Sequence, residues 1–489
     1  MFHEASGYHA NEKEGLKRDI MTEETNDKIS PKLIAAILAT GILNFAGITV
    51  ETAMNITFPI LIEQFHIDIS TVQWMTTLYL LVVAATVPIS SFLKRRFTLK
   101  RLFIVANLCF IAGVVLDSLA PTFSILLLGR FAQGIGTGIA LPLMFNIILE
   151  QVPRQKLGTM IGLGTLITAV APTVGPTFGG VMASSLGWRY IFICLLPILL
   201  VSFVLGIMTI EQKTEPQKIK LDVISFVAIA VTLVGFIYSL SHLSSMPLMS
   251  PQVLGSFIMG VLGLGIFIYR SNRQASPLIN LAVFKNVSFD GHAISSFILL
   301  GSLLGLNLVL PNYIQLVNGD SAVAAGLAVL PGTILNAVFV SFSGRIYDAI
   351  GAAKPILFGT ALSMLALGCF CFMSGNLTNL TISILFGIYC IGFGLTSGNV
   401  LTNGLAQLPK DLQTDGNAAI MTLQQFAGAF GTSITAIIIA FSQKSALSKA
   451  IGTQQGSRNA LILFLIMASL EFVILYVVIK VYRQEQSVG

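Results

Sequence analysis

Charge is what this sequence has least of. Of 489 residues, 28 are Lys or Arg and 22 are Asp or Glu, 10% together, while 54% are hydrophobic and the mean hydropathy is +0.84. So little polar surface cannot clothe a soluble globule of this size, which leaves a polytopic membrane protein. Cysteine is also scarce: Cys109, Cys194, Cys369, Cys371 and Cys390 all fall in apolar segments without ligand-type spacing, so no disulfide framework and no metal site is expected. No G-x-x-x-x-G-K-[ST] loop is present, which argues against an ATP-driven pump and for an ion gradient as the energy source. The close glycines of "GRFAQGIG" lie inside an apolar span rather than after a strand, and nothing else resembles an enzyme signature, so neither an enzymatic activity nor a cofactor is expected. Residues 1–32 lack the apolar core of a secretory signal and read as a cytoplasmic tail, with Met21 as an alternative start.

What is present in quantity is apolar sequence in membrane-length runs. Windows of about 20 such residues fall at 33–61, 72–92, 102–120, 124–149, 157–184 and 190–210, then at 221–242 and 251–270, then at 290–313, 322–346, 354–373, 380–404, 415–442 and 458–482. The expected fold is an all-α polytopic membrane protein with 14 transmembrane helices: a six-helix bundle at 33–210, a linker with two extra helices at 211–289, a second six-helix bundle at 290–482 and a short cytoplasmic tail at 483–489. Within the linker region, Leu278, Leu281 and Phe284 recur every three residues, which suits a short helix in the inner interface, a plain loop being the alternative. Of the 28 Lys and Arg, 23 fall on one side of this layout. The net charge of +6 is therefore a topology signal rather than a nucleic-acid footprint, and both termini are expected on the cytoplasmic face of the inner membrane. Trp74 and Trp188 are placed at the outer interface.

Small residues recur at helical spacing: Gly134 and Gly138, Gly158 and Gly162, Gly175 and Gly179. In lipid such pairs let helix backbones approach closely. In "APTVGPTFGG" the prolines Pro172 and Pro176 also remove backbone donors, so a bend or pivot is expected. Asn44, Gly47, Glu51 and Asn55 are spaced by three or four and form one face of the first span. A polar face cannot point at lipid. Arg130, with Gln133 and Thr137 following in the fourth span, keeps its charge at any pH and needs an acceptor: Glu51, a neighbouring dipole, or both. A carboxyl in a watered cavity near such a cation can gain and lose a proton as the cavity changes face. Glu51 is therefore read as a proton carrier, against the alternative of a structural ion pair with Arg130.

Glu471, with the apolar neighbours Met467, Ala468, Ile474 and Leu475, reads as a carboxyl held neutral for structural reasons, a second proton site or a cation-substrate anchor being the alternatives. Asp117, Asp290 and His292 lie near span ends and read as solvated. The C-terminal half supplies amides, Asn307, Asn336, Asn399, Asn403, Gln424 and Gln425. Together with Asn44, Asn55 and Gln133 they are the expected hydrogen-bonding points of a largely apolar cavity for amphiphiles.

"LLGRFAQGIGTG", 127–138, resembles the fourth-span motif of the major facilitator superfamily, and "GPTFGG", 175–180, the fifth-span motif of its antiporters. The six-plus-two-plus-six layout, "VLPNYIQ" and "GLAVLPG" resemble the 14-span drug:proton antiporter branch, and "ETAMN" its lincomycin-resistance relatives. The resemblance implies two bundles rocking about a central cavity. It gives Arg130 a part in proton coupling, and ties Gly175, Pro176, Gly179 and Gly180 to export. Departures are visible too. The first-span acid falls one residue later than usual, and the loop after the second span has Ser91, Arg95 and Thr98 where glycine, acid and glycine are usual. The counterpart "GRIYDAIG" keeps Gly344, Asp348 and Gly351 as a cytoplasmic gate, so an asymmetric latch is expected.

The resulting expectation is a proton-coupled antiporter, acting as a monomer in the bilayer, that exports hydrophobic or cationic drugs. A dedicated exporter of one endogenous lipid, peptide or metabolite is the alternative, and a non-transporting sensor or scaffold a third.

Overall fold

The computed structural model describes residues 29–488 except Asp68, Thr214, Lys218, Ser244, Ser245, Leu248 and Ala275; Met21 and nearly all of the expected N-terminal tail lie outside the described residues. Fourteen helices are long and apolar enough to cross a membrane, and no strand occurs among the described residues. Helices are the expected solution where no water is available to satisfy backbone groups. The first six spans are Pro31–Asn55, Trp74–Arg96, Leu99–Leu119, Phe123–Gln151, Arg154–Ser185 and Arg189–Thr209. Val223–His242 and Pro251–Ser271 are the seventh and eighth. Val287–Leu316, Val323–Ile350, Ala353–Met373, Asn379–Ala406, Gln413–Ser445 and Lys449–Lys480 complete the set.

Local signals set several ends. Ser30 accepts from the Leu33 amide with Pro31 in the first turn, and Thr98 caps the third span in the same way, each satisfying a donor the helix start leaves free. The first span is shorter than its apolar run: it stops at Asn55, and a separate helix, Phe58–Phe65, begins with Pro59 in its first turn. The expected interfacial helix is only a 3₁₀ turn, Leu281–Lys285. Its buried face is Leu278, Ile279 and Val283, with Phe284 exposed, because the segment folds onto the protein core instead of lying in lipid. Trp74 is exposed, whereas Trp188 is buried with its indole N–H on Gln64 Oε1 at 2.8 Å.

The first span is enclosed by the fourth, fifth and sixth, and the ninth by the twelfth, thirteenth and fourteenth. The seventh and eighth pair with each other, tied by the two-pronged contact of Arg270 with Asp222, both bonds 3.0 Å, and the seventh leans on the second and thirteenth. The fifth span runs unbroken through Pro172 and Pro176 from Leu157 to Ser185. It meets the first span at Gly175 and Gly179, where a side chain would run into Thr52, the Thr49 carbonyl and Ala53; Gly180 faces open space. This close approach holds the neighbourhood of Glu51 in place.

The first six and last six spans meet along two seams, the fifth against the tenth and the second against the thirteenth. On the first seam Gly158 and Gly344 touch main chain to main chain. Hydrogen bonds between the halves gather at the end that carries the basic loops. Asp348 accepts from the Gly158 amide at 3.0 Å, the Thr159 amide at 2.9 Å and the Thr159 hydroxyl at 2.5 Å, so a carboxylate sits on the positive start of the fifth span. Gly351, at φ +80°, ends the tenth span just beyond it. On the second seam the loop lacking its usual acid is answered from the other side. Asp415, in the first turn of the thirteenth span, accepts from the Ser91 hydroxyl and lies 3.8 Å from Arg95. Lys94 donates to Thr414 at 3.0 Å and pairs with Glu150 at 3.0 Å, and Asn417 donates to Asn146 at 3.1 Å.

Two outcomes follow from these contacts. Asp348→Ala removes three bonds from the fifth-span start, and losing charge-assisted bonds of about 1.5–3 kcal/mol each favours parting of this end. In a cysteine-free background, a cysteine at Thr165 is expected to label at least about tenfold faster from the basic side; an unchanged rate contradicts the gate assignment. Gly179→Val is expected to destabilise the detergent-solubilised protein by about 1–3 kcal/mol in thermal unfolding, whereas Gly180→Val leaves it unchanged.

Candidate functional site

A cavity of about 330 Å³ lies between the two halves, a size that suits a small organic molecule. Val83, Leu141, Phe145, Phe393 and Met421 supply apolar wall; Glu51, Tyr79, Thr137, Asn307, Asn336, Gln424 and Gln425 supply the polar points. Asn307, Asn336 and Gln424 are thus placed as the spacing suggests. Five other amides expected there are spent elsewhere. Asn44 is buried and donates to the Ala140 carbonyl at 3.2 Å. Asn55, at the end of its helix, accepts from Thr76 at 2.7 Å. Gln133 is enclosed between the third and fourth spans. Asn399 turns back to the Leu395 carbonyl of its own helix at 2.7 Å. Asn403 binds His292 Nε2 at 2.7 Å. In each case a protein group within reach, a carbonyl, a hydroxyl, a ring nitrogen or a charged side chain, takes up the amide. The polar face of the first span points at the fourth span for most of its length, and the cavity reaches it at Glu51.

Glu51 is partly exposed in the cavity wall, and no hydrogen bond or ion pair holds its carboxyl among the described residues. Arg130 is fully buried. It does not pair directly with Glu51 but finds other acceptors. Its Nη1 donates to Gln133 Oε1 at 2.7 Å and its Nε to the Met75 carbonyl at 3.3 Å, with the guanidinium carbon 4.3 Å from the centre of the Tyr79 ring. Nη2 has no partner. Tyr79, whose role the sequence pattern does not reveal, lies with its hydroxyl 3.0 Å from the Gly47 carbonyl and 2.9 Å from Thr137 Oγ1. Gln133 passes the contact on, its Nε2 donating to Asp117 Oδ2 at 2.8 Å. Asp117 is not solvated: it is fully buried, because Gly129 of the fourth span leaves the space its carboxyl occupies.

In the other half, His292 is also buried, its Nδ1 2.6 Å from the Ser288 carbonyl. Donation from the Asn403 amide to Nε2 then requires a neutral ring with the proton on Nδ1. Glu471 is buried outside the cavity and accepts from the Ser295 hydroxyl at 2.8 Å. Among the described residues no cluster of three or more His, Cys, Asp or Glu is arranged to hold a metal ion. The chemistry the arrangement allows is proton exchange: an untethered carboxyl in a mostly apolar cavity, with a fixed positive charge buried behind it.

Comparison with known proteins agrees with this architecture. The profile of the Major Facilitator Superfamily matches residues 38–432. The lincomycin resistance protein LmrB of Listeria monocytogenes is 36% identical over 451 residues, 90% of this chain and 95% of that protein. Its namesake in Bacillus subtilis is 37% identical over 423 residues, 86% of this chain and 88% of that protein. A multidrug resistance protein B homolog of Mycobacterium tuberculosis is 26% identical, covering 86% of this chain and 82% of its own. In fold, the human organic anion transporter MFSD10 superposes with a TM-score of 0.65 at 12% identity, over 91% of this chain and all of that one. The proton:xylose symporter XylE does so with 0.63 at 16%, over 92% and 96%. This multi-pass membrane protein is a transporter, and it belongs to the major facilitator superfamily.

Proposed function

We propose that the protein is a proton-coupled antiporter that exports hydrophobic or cationic drugs from the cytoplasm by alternating access. The observation that carries this reading is Glu51, a carboxyl without a fixed partner in the wall of a mostly apolar cavity, backed by the buried charge of Arg130. The wall itself supports it: apolar and aromatic side chains with a few amides accept amphiphiles of varied shape, whereas a sugar would call for more fixed hydrogen bonds. The relatives named for lincomycin and multidrug resistance point the same way. Sidedness is read from the basic loops: by the positive-inside rule they favour a cytoplasmic position for that end and for both termini, in a cell with a proton gradient across its inner membrane. With the basic end latched by Asp348 and Asp415, the cavity is poised towards the outside, where Glu51 takes a proton and substrate leaves. Opening of the latch then turns the cavity inward, and loss of the proton to the cytoplasm accompanies the next loading. One chain supplies both walls of the cavity, so a monomer is sufficient.

Glu51→Gln keeps the size of the side chain and removes its proton exchange. In energised whole cells, extrusion of a panel of unrelated dyes is expected to fall at least about tenfold, with protein abundance unchanged. Undiminished extrusion removes the basis for the coupling role.

A further inference from the structure

The first six spans enclose two carboxyls and one guanidinium towards the same end. Asp117 closes the third span, Arg130 stands near the start of the fourth, and Glu51 is one turn from the end of the first. A charge enclosed in protein and lipid without a counter-charge costs several kcal/mol, and one guanidinium balances one carboxylate. Arg130 leans away from the cavity, linked through Gln133 Oε1 at 2.7 Å and Gln133 Nε2 at 2.8 Å to Asp117. Two atoms are left over on this path, each buried and without a hydrogen-bond partner among the described residues: Arg130 Nη2 and Asp117 Oδ1. A fully enclosed guanidinium with a spare donor, flanked by one acid with a spare oxygen and by Glu51 with no hydrogen bond among the described residues, is built to be shared.

We propose that Asp117 is a positioning residue for proton coupling, the alternate counter-ion of Arg130: it holds the guanidinium through Gln133 while Glu51 carries a proton, and competes for it when Glu51 is ionised. This rests on Glu51 as the coupling acid. Competition has a defined direction. Every contact Asp117 keeps with Arg130 is one Glu51 does without, so Asp117 raises the proton affinity of Glu51. Replacing it by Asn, which still accepts from Gln133, leaves the whole charge of Arg130 to Glu51 and lowers that affinity. Other titratable groups on the surrounding elements are Tyr79, Cys109, Tyr190, Cys194, Arg189 and, across the cavity, Cys390, with Glu63 and His66 exposed on the short helix. Arg189, the other cation here, is held by the Ala120 carbonyl at 2.7 Å and lies 4.4 Å from the Trp188 ring centre.

The test is the pH profile of dye-driven proton release by the full-length protein in liposomes. For Asp117→Asn the midpoint is expected to move about one unit to lower pH, a tenfold loss of proton affinity. Gln133→Ala, which keeps both charges and severs the link, is expected to move it the same way. Asn107→Ala, which breaks the buried bond of the third span to Ser202 without touching a charge, is expected to leave it in place. A purely structural role for Asp117 would lower the rate of both third-span variants and shift neither midpoint. Unmoved midpoints in Asp117→Asn and Gln133→Ala, with Glu51→Gln inactive, overturn this inference alone. If Glu51→Gln keeps the profile of the unmodified protein, the coupling reading itself fails.

Discussion

A positive charge that no pH can remove, sealed inside a bundle that faces lipid, is the constraint around which the first half of this protein is organised. Arg130 has to be satisfied where it stands. The fold does so with a carbonyl of the second span, a ring face, and an amide one turn on in its own helix. Each of those acceptors fixes the position of an element. Met75 and Tyr79 bind the second span to the fourth, Gln133 and Asp117 bind the fourth to the third, and the Tyr79 hydroxyl reaches the first span at Gly47. Glu51 is what remains outside this network, and its lack of a fixed partner distinguishes it chemically from the other buried acids.

The second organising device is at the opposite end of the spans, where carboxylates sit on or near helix starts. Asp348 caps the fifth span from the tenth. Asp415 stands in the first turn of the thirteenth and takes up Ser91 and Arg95 from the loop that has no acid of its own. The two seams therefore draw both of these acids from the C-terminal half, while the donors to them come from the N-terminal half. Closure at this end combines opposite charges with helix dipoles, and it depends on few residues at each seam.

Much of this was legible in the sequence, for identifiable reasons. Spans follow from hydropathy because nothing but a helix satisfies its backbone in lipid. The glycine pairs predict close approach, and Gly175, Gly179, Gly158 and Gly344 are points of contact between spans. What one-dimensional spacing cannot show is which partner a polar side chain meets first. Asn399 donates to the Leu395 carbonyl of its own helix and to the Ser343 carbonyl of the tenth span, and Asn403 meets a histidine of the ninth, so residues one turn apart in "SGNVLTN" have different fates. Asp117 was misjudged by depth alone: two residues from a helix end, it is sealed by Gly129, a residue a dozen positions away. Asp415 follows a polar loop, and nothing in its neighbourhood along the chain names Ser91 and Arg95 as the groups it meets. Tyr79 lies in "TTLYLL" between Leu78 and Leu80, where no charged neighbour marks it.

The glycine contact between the fifth and tenth spans has a mechanical consequence. Where Gly158 lies against Gly344, backbone meets backbone without a Cβ on either side, with Tyr347 and Asp348 packed beside the contact. Under the proposed alternating access, such a crossing offers little side-chain interlock at that point, so the carboxylate clasp beside it is where the tilt of the two helices would be held or released.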